Sequence, residues 1–277
     1  MHILTRHLSC GPVDYDAFLR DALAQQVDNL VPYVLTSNSA SPEQVWLKKT
    51  GPRHGAWRYT LLGVLAAVAR LPVLRPVRNQ GGSAAIYTEA RRLNILGTQG
   101  LRVPQVLAVQ AGGLLLRHLG QPGAPTQSLA DEMHHAAQTT PHTVLALWQQ
   151  GLTAIGLVHD AGTCLSQAFA RNLVRCPDGV MGYVDFEDDP TAILPLPLGQ
   201  LRDLLCYAHS TSLYLHNAGA LPDARLLWAA WSTQRPCAMQ AQLHASIRSL
   251  HWLRHLPTTR RLGRDLQRAR MAYALMA

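Results

Sequence analysis

An α+β fold, with strands gathered in the first 118 residues and helices dominating thereafter, is what this sequence predicts. Three observations carry that expectation. Short apolar runs bounded by turn residues fall at 44–47, 103–109 and 113–118, the signature of strands. Longer runs with apolar residues at helical spacing fall at 143–159, 198–216, 222–233, 238–256 and 258–276. Neither internal repeats nor low-complexity tracts break the pattern, so strands and helices segregate into the layers of one α+β domain. A chain of 277 residues that is 48% hydrophobic and 15% charged can bury a sizeable core, which places it among enzyme-sized globular proteins.

Taken in order, residues 14–27 form the first helix. The run Gln44-Val45-Trp46-Leu47 is a strand, preceded by turn-forming residues 37–42 and closed by Lys48 and Lys49. Residues 61–74 are apolar, but they include Arg70 and Pro72 and fall short of the ~20 residues that span a bilayer. That segment is expected to be a helical insertion packed on the strand-rich part, with a helix lying on a membrane surface as the sharper alternative. Residues 83–96 have helical periodicity, with Ala85, Ile86, Ala90 and Leu93 on one stripe and Gly97 and Gly100 as stop signals. After strands 103–109 and 113–118, the break at 119–123 separates an N-terminal lobe, 1–118, from a helical C-terminal lobe, 119–277. Helix 143–159 leads into a loop and then a hairpin with arms 171–175 and 180–186 around Pro177, Asp178 and Gly179. Four helices complete the chain.

The hairpin carries the first chemistry. It is expected to bring Asn172 and Asp185 close together, an amide oxygen and a carboxylate. Mg²⁺ suits such a pair, because it takes one or two protein carboxylates and completes its shell with water and phosphates. Lys48 strengthens the case. Of 25 Lys plus Arg, only Lys48 and Lys49 are lysines, so a composition that elsewhere uses arginine keeps an ammonium here. A compact ammonium reaches phosphate oxygens from a strand, whereas guanidinium prefers bidentate forks. Glu89, on the 83–96 helix, could hold Lys48 in place. Taken singly, Lys48 also reads as an edge-strand lysine with its stem on apolar neighbours, Glu89 as a solvated partner of Arg91 or Arg92, and Asn172 and Asp185 as strand-end polar groups.

In sequence order, the motifs Val45-Trp46-Leu47-Lys48, Glu89-Ala90-Arg91-Arg92-Leu93, Val103-Pro104-Gln105-Val106-Leu107, Gly113-Leu114-Leu115-Leu116, Leu157-Val158-His159 with Gly162, Asn172-Leu173-Val174 and Val184-Asp185-Phe186-Glu187-Asp188 resemble the small bacterial kinase-like proteins. That group includes the lipopolysaccharide core sugar kinases and their relatives in the compact eukaryotic-type kinase superfamily. The resemblance runs from about Gln44 to Tyr207. It implies a two-lobed protein-kinase-like fold with ATP and Mg²⁺ as ligands, Lys48 and Glu89 at the nucleotide, and Asn172 and Asp185 on the metal. The implied reaction is phosphoryl transfer to a hydroxyl of a sugar, lipid or protein. Two departures stand out. The position of the family's catalytic aspartate, five residues before Asn172, holds Gln167, preceded by Leu165 and Ser166 instead of His-Gly or His-Arg. Glutamine cannot accept a proton at neutral pH. Residues 28–43 contain no glycine, so backbone cradling of phosphates would fall to the turn at 38–41. The chain is therefore expected to be a weak or unusual phosphotransferase, or a pseudokinase that serves as a regulatory or scaffold binding module for a protein partner.

Composition adds the setting. Five cysteines, Cys10, Cys164, Cys176, Cys206 and Cys237, show no C-x-x-C spacing and an odd count, which reads as buried reduced thiols of a cytoplasmic protein. No long apolar core precedes a small-residue cleavage site near the amino terminus, so no secretory signal is expected. The net charge of +8 is partly concentrated in Arg254, Arg260, Arg261, Arg264, Arg268 and Arg270 on a helical tail. Such a helix is a solvated face or a peripheral contact with anionic lipid at the inner membrane. With 6% aromatic residues and no reading motif, nucleic acid ranks last among partners. The adjacent His134 and His135 face different ways on a helix and make no metal pair, whereas His159 is expected to brace the site loop.

Overall fold

Strand pairing in the first half and helix packing in the second make the protein α+β. The computed structural model describes residues 4–7, 13–37, 40–51, 81–124, 126–258 and 263–277. The expected insertion at 61–74, Arg260, Arg261 and the turn residues Asn38 and Ser39 lie outside these. Two compact units emerge. Among described residues the first comprises 4–51, 81–126 and 175–189, and the second 127–174 and 190–277.

The first unit is built on a five-stranded sheet of β1 (Leu4–His7), β2 (Leu30–Ser37), β3 (Ala40–Lys49), β4 (Val106–Gln110) and β5 (Gly113–Arg117), in the order β1-β2-β3-β5-β4. β1 runs parallel to β2, and the other neighbours are antiparallel. Sequence patterning shows no strand as early as β1. It also reads 37–42 as a turn, whereas Ala40, Ser41 and Pro42 belong to β3. The sheet overrides their turn propensity because the register of β2 and β3 shifts between Leu35 and Ser37, and at such an irregularity Pro42 can be accommodated without a regular ladder bond.

Side chains alternate across a strand, so Val45 and Leu47 share one face of β3, and both are fully buried. Helix α1 (Tyr15–Gln25) covers that face with Phe18, Leu19 and Ala22, joined by Tyr33, Leu35, Ala108 and Leu115 in one core. The Phe18 and Tyr33 rings meet edge-on at 5.4 Å. Asp14 caps α1 by accepting a hydrogen bond from the Ala17 amide at 3.0 Å. The opposite face of β3 presents Trp46 and Lys48, and there Lys48 meets helix α2 (Gly82–Thr98). The α2 stripe of Ala85, Ile86, Ala90, Leu93 and Leu96 is buried as its period predicts.

The expected hairpin is present but shorter. β6 (Leu173–Arg175) and β7 (Met181–Tyr183) form a two-stranded ribbon. Asn172 closes a 3₁₀ turn before β6, and Asp185 lies beyond the end of β7. The divide between the two units falls within β6. The turn closes through Val180, whose amide donates to Asp178 Oδ1 at 3.1 Å, with Gly179 at φ 78°.

The second unit contains α3 (Leu129–Thr139), α4 (Pro141–Asp160), α5 (Leu196–Asn217), α6 (Leu221–Thr233), α7 (Cys237–Ser249) and α8 (Arg264–Met276). Trp148 of α4 and Tyr207 of α5 stack at 6.4 Å, and the Tyr207 hydroxyl donates to the Trp148 carbonyl at 2.6 Å. Gly151 allows this approach, since a Cβ there would stand 2.3 Å from the Tyr207 hydroxyl. The single helix expected over 238–256 ends at Ser249 and tightens into a 3₁₀ turn at His251–His255. Met271, Tyr273, Leu275 and Met276 of α8 are buried. Cys164 and Cys176 are buried thiols, but Cys237, expected to be buried, opens α7 and is exposed. Among the described residues no helix is long and apolar enough to cross a membrane.

Candidate functional site

Lys48 lies at the meeting point of three carboxylates in the first unit. Its Nζ is 2.7 Å from Glu89 Oε2, 3.0 Å from Asp185 Oδ1 and 2.9 Å from Glu187 Oε1. β3 supplies the ammonium from the face opposite the α1 core, α2 supplies Glu89 from its buried stripe, and the segment after β7 supplies the other two acids. The structure brings Lys48 and Glu89 together as expected, with Glu89 engaging Lys48 rather than Arg91 or Arg92, and adds Asp185 to the same ammonium. Those arginines instead take Asp189, Arg92 Nη1 at 3.1 Å from Oδ1 and Arg91 on Oδ2.

The acids differ in freedom. The Glu89 side chain is 2% exposed, and its second oxygen accepts from the Phe186 amide at 3.4 Å. The side chains of Asp185 and Glu187 are 38% and 36% exposed, so solvent reaches them. Phe186 between them is buried, with the Arg92 guanidinium 5.5 Å from its ring centre. Asp185 has φ 71°, a left-handed conformation that costs most residues energy and that Asp and Asn tolerate best. Strained backbone of this kind clusters at functional sites.

Charge governs the site. Burial pulls the pKa of the Lys48 ammonium down, but the charges of Glu89, Asp185 and Glu187 outweigh that and hold it above the ordinary lysine value. Burial raises the pKa of Glu89, against the pull of Lys48. The two directions are compatible, since the ammonium has three carboxylates and the three share one ammonium. One positive against three negative charges leaves the cluster doubly negative, the complement of a divalent cation. Among the described residues no three His, Cys, Asp or Glu side chains are grouped as a complete metal-binding set.

The other two expected site residues belong to the second unit. Asn172 is buried, and its Nδ2 donates to the Gln167 carbonyl at 3.1 Å. That bond uses the amide nitrogen and not the oxygen a metal would need. The same carbonyl accepts from the Phe169 amide at 2.7 Å. The loop that carries Gln167 is anchored by a group sequence reasoning misses. Asp203 of α5, fully buried, accepts from the Leu165 amide at 2.7 Å and lies 3.2 Å from His159 Nε2. Gln200 Nε2 donates to the carbonyls of His159 and Thr163, each at 3.1 Å, and Arg202 Nε donates to that of Ser166 at 3.2 Å. His159 therefore braces the site loop as expected, with Asp203 as the joint. Ser166 is the second non-glycine residue with positive φ among the described residues, at 84°. One signal marks Asp203 in the sequence: it is the sole acid in the 22-residue helix α5. Glu187 is hidden in the run Asp185-Phe186-Glu187-Asp188-Asp189, where spacing alone does not say which acids turn inward. With this geometry in hand, the chain matches no protein-family model and no curated protein.

Proposed function

We propose that the protein is a kinase-like, two-lobed nucleotide-binding protein that takes ATP with Mg²⁺ and transfers a phosphoryl group to a hydroxyl of a sugar, lipid or protein. The observation that carries the reading is the Lys48 ammonium, fixed by buried Glu89 and shared with solvent-accessible Asp185 on strained backbone. An ammonium held at a set position binds phosphate oxygens, and Glu89 does the holding. Asp185 is the accessible oxygen ligand for Mg²⁺, and Asn172 is proposed as the second. When bound, Mg²⁺ would neutralise charge on the phosphates. The sequence resemblance to the lipopolysaccharide core sugar kinases supports the same assignment. Peripheral contact with anionic membrane is a further proposal, resting on Arg260, Arg261 and residues 61–74.

Gln167 favours a second reading. A side chain that cannot accept a proton at the position of the catalytic aspartate suits a pseudokinase acting as a regulatory or scaffold module. Positioning and electrostatics carry most of phosphoryl transfer, and general-base assistance contributes typically 10²- to 10⁴-fold, so the first reading predicts a slow enzyme.

Thermal unfolding with and without Mg-ATP tests binding. At a ligand concentration 100 times Kd the gain is about 2.7 kcal/mol, a rise of a few degrees for a chain this long. Asp185→Asn, which the left-handed backbone accepts, removes the Mg²⁺-dependent part, and Lys48→Met removes most of the rest. No shift with millimolar ATP, with or without Mg²⁺, refutes nucleotide binding. ATP turnover then separates the readings: Gln167→Asp raises it well above wild type in a slow enzyme and leaves it at zero in a binding module.

A further inference from the structure

We propose that a groove between α6 and α7 is the docking site for an acidic amphipathic helix of a partner protein, an interaction that goes beyond the nucleotide reading and does not depend on it. The groove lies within the second unit and has a volume of about 720 Å³. On α6 its lining residues recur at the three- and four-residue spacing of one helix face, from Pro222 to Ser232, and on α7 they run from Leu243 to Arg248. Trp228, Leu243, Leu275 and Met276 are the buried part of the lining, the last two from the end of α8. Leu226 also lines the groove and is 72% exposed, so apolar surface is left open to water.

Charge gives the sign of the partner. Arg225 lines the groove from α6 and Arg248 from α7, and neither guanidinium has an ion pair among the described residues. No acidic side chain is in the lining: α7 contains none, and Asp223, the one acid of α6, lies outside it. With 25 Lys plus Arg against 17 Asp plus Glu, some arginines must lack a counter-ion, but two of them on one apolar groove call for an anionic occupant. Shape decides which. Enclosed pockets bury most of a small ligand's surface, whereas this trough is open to solvent along one side and would leave the tail of a fatty acid partly wet. An amphipathic helix brings its own polar back. The α6 wall is about 15 Å long at the helical rise of 1.5 Å per residue, enough for apolar anchors at i, i+3, i+4 and i+7 of a docked helix. Arginines on the two walls then meet acids on the two margins of its apolar stripe.

Fluorescence anisotropy with the full chain and a labelled designed peptide tests this, the peptide being a helix with leucines at i, i+3, i+4 and i+7 flanked by glutamates. A scrambled peptide of the same composition binds at least about tenfold more weakly, as expected when even one leucine loses its burial, and a version with lysine for glutamate does not bind. Arg225→Glu and Arg248→Glu each weaken the acidic peptide about fivefold, the order of effect of an exposed ion pair, and Leu226→Asp weakens it as well. All three side chains are exposed, so the fold is retained. Arg20→Glu makes the same charge change at an exposed position of α1 and leaves the affinity unaltered. No binding of the acidic peptide at millimolar concentration, equal binding of the scrambled or lysine peptide, or unchanged affinity in the groove variants overturns the proposal. Binding of laurate that depends on both arginines, in place of peptide binding, assigns the groove to a fatty acid and overturns it too.

Discussion

At the scale of single residues, removing one partner of a buried ion group costs more than the group contributes, because the charges left behind lose their compensation. Lys48→Met strands buried Glu89 together with Asp185 and Glu187. It should lower stability in urea by about 3 kcal/mol, and the double change Lys48→Met/Glu89→Met should recover part of that. Additive losses in the double variant would show that the two side chains are not coupled. His118 supplies a pH-dependent counterpart. Trp46 Nε1 donates to its Nδ1 at 2.9 Å, and its Nε2 lies 3.0 Å from the Ala124 carbonyl, so the bonds suit a neutral ring with the proton on Nε2. Burial pushes its pKa below the ordinary 6.5, against a smaller upward pull from the Ala124 carbonyl. A depressed value in the folded state means a contribution that is present above pH 6.5 and lost as pH falls through the folded pKa. Stability should therefore decline as the medium is acidified below that point. His118→Gln should lessen the decline, and His209, whose pKa burial also lowers, should supply much of what remains. Urea titrations across this range decide it, and an unchanged slope in His118→Gln would refute the neutral-ring assignment.

At the scale of elements, β3 can present Lys48 only because β5 comes close. Gly113 pairs with Lys49 in the ladder, and a Cβ on it would stand 2.7 Å from the Lys48 carbonyl and 2.7 Å from Leu23 Cδ2. Gly113→Ala should displace β3 and cost about 1–3 kcal/mol. Gly112→Ala, whose Cβ would meet Leu23 Cδ1 at 3.4 Å, should be nearly neutral. Equal melting of the two variants would contradict the close approach. Elements with a local period are legible in the sequence: α1, α2, α4, α5 and α6 lie within a few residues of their predicted bounds. β1 is not, because four residues carry no period and their partners lie 29 positions on, Leu4 opposite Tyr33. Pro32 obscures β2, because a proline inside an apolar run argues against a strand, yet it pairs opposite Trp46 of β3. The Pro-Asp-Gly turn makes the hairpin legible, but its arms are shorter than the pattern suggests, because apolar character at 184–186 reflects the burial of Phe186 and not further strand pairing.

At the scale of the whole molecule, composition alone points to the candidate site. A chain with 25 basic residues and only two lysines marks Lys48 by contrast. Glu89 and Asp185 follow from their elements, Glu187 depends on which way a loop turns, which no spacing encodes, and Asp203 is marked only as the sole acid of α5. The same scarcity has a practical outcome in covalent labelling. Only two side-chain amines can be acylated, and both lie between Arg20 and Arg53, so one arginine-bounded peptide reports on both. Lys49 donates to the Gln26 carbonyl at 2.8 Å and has no carboxylate of the described residues at its ammonium, while Lys48 is held protonated by its three. An amine must lose its proton to attack an activated ester, so at mildly alkaline pH Lys49 should be modified well before Lys48. Tandem mass spectrometry of that peptide would read the order directly, and equal modification of the two would mean that the carboxylates do not enclose Lys48 in solution. Adjacent residues on one strand, an ester and a clock thus suffice to report whether the ammonium is held.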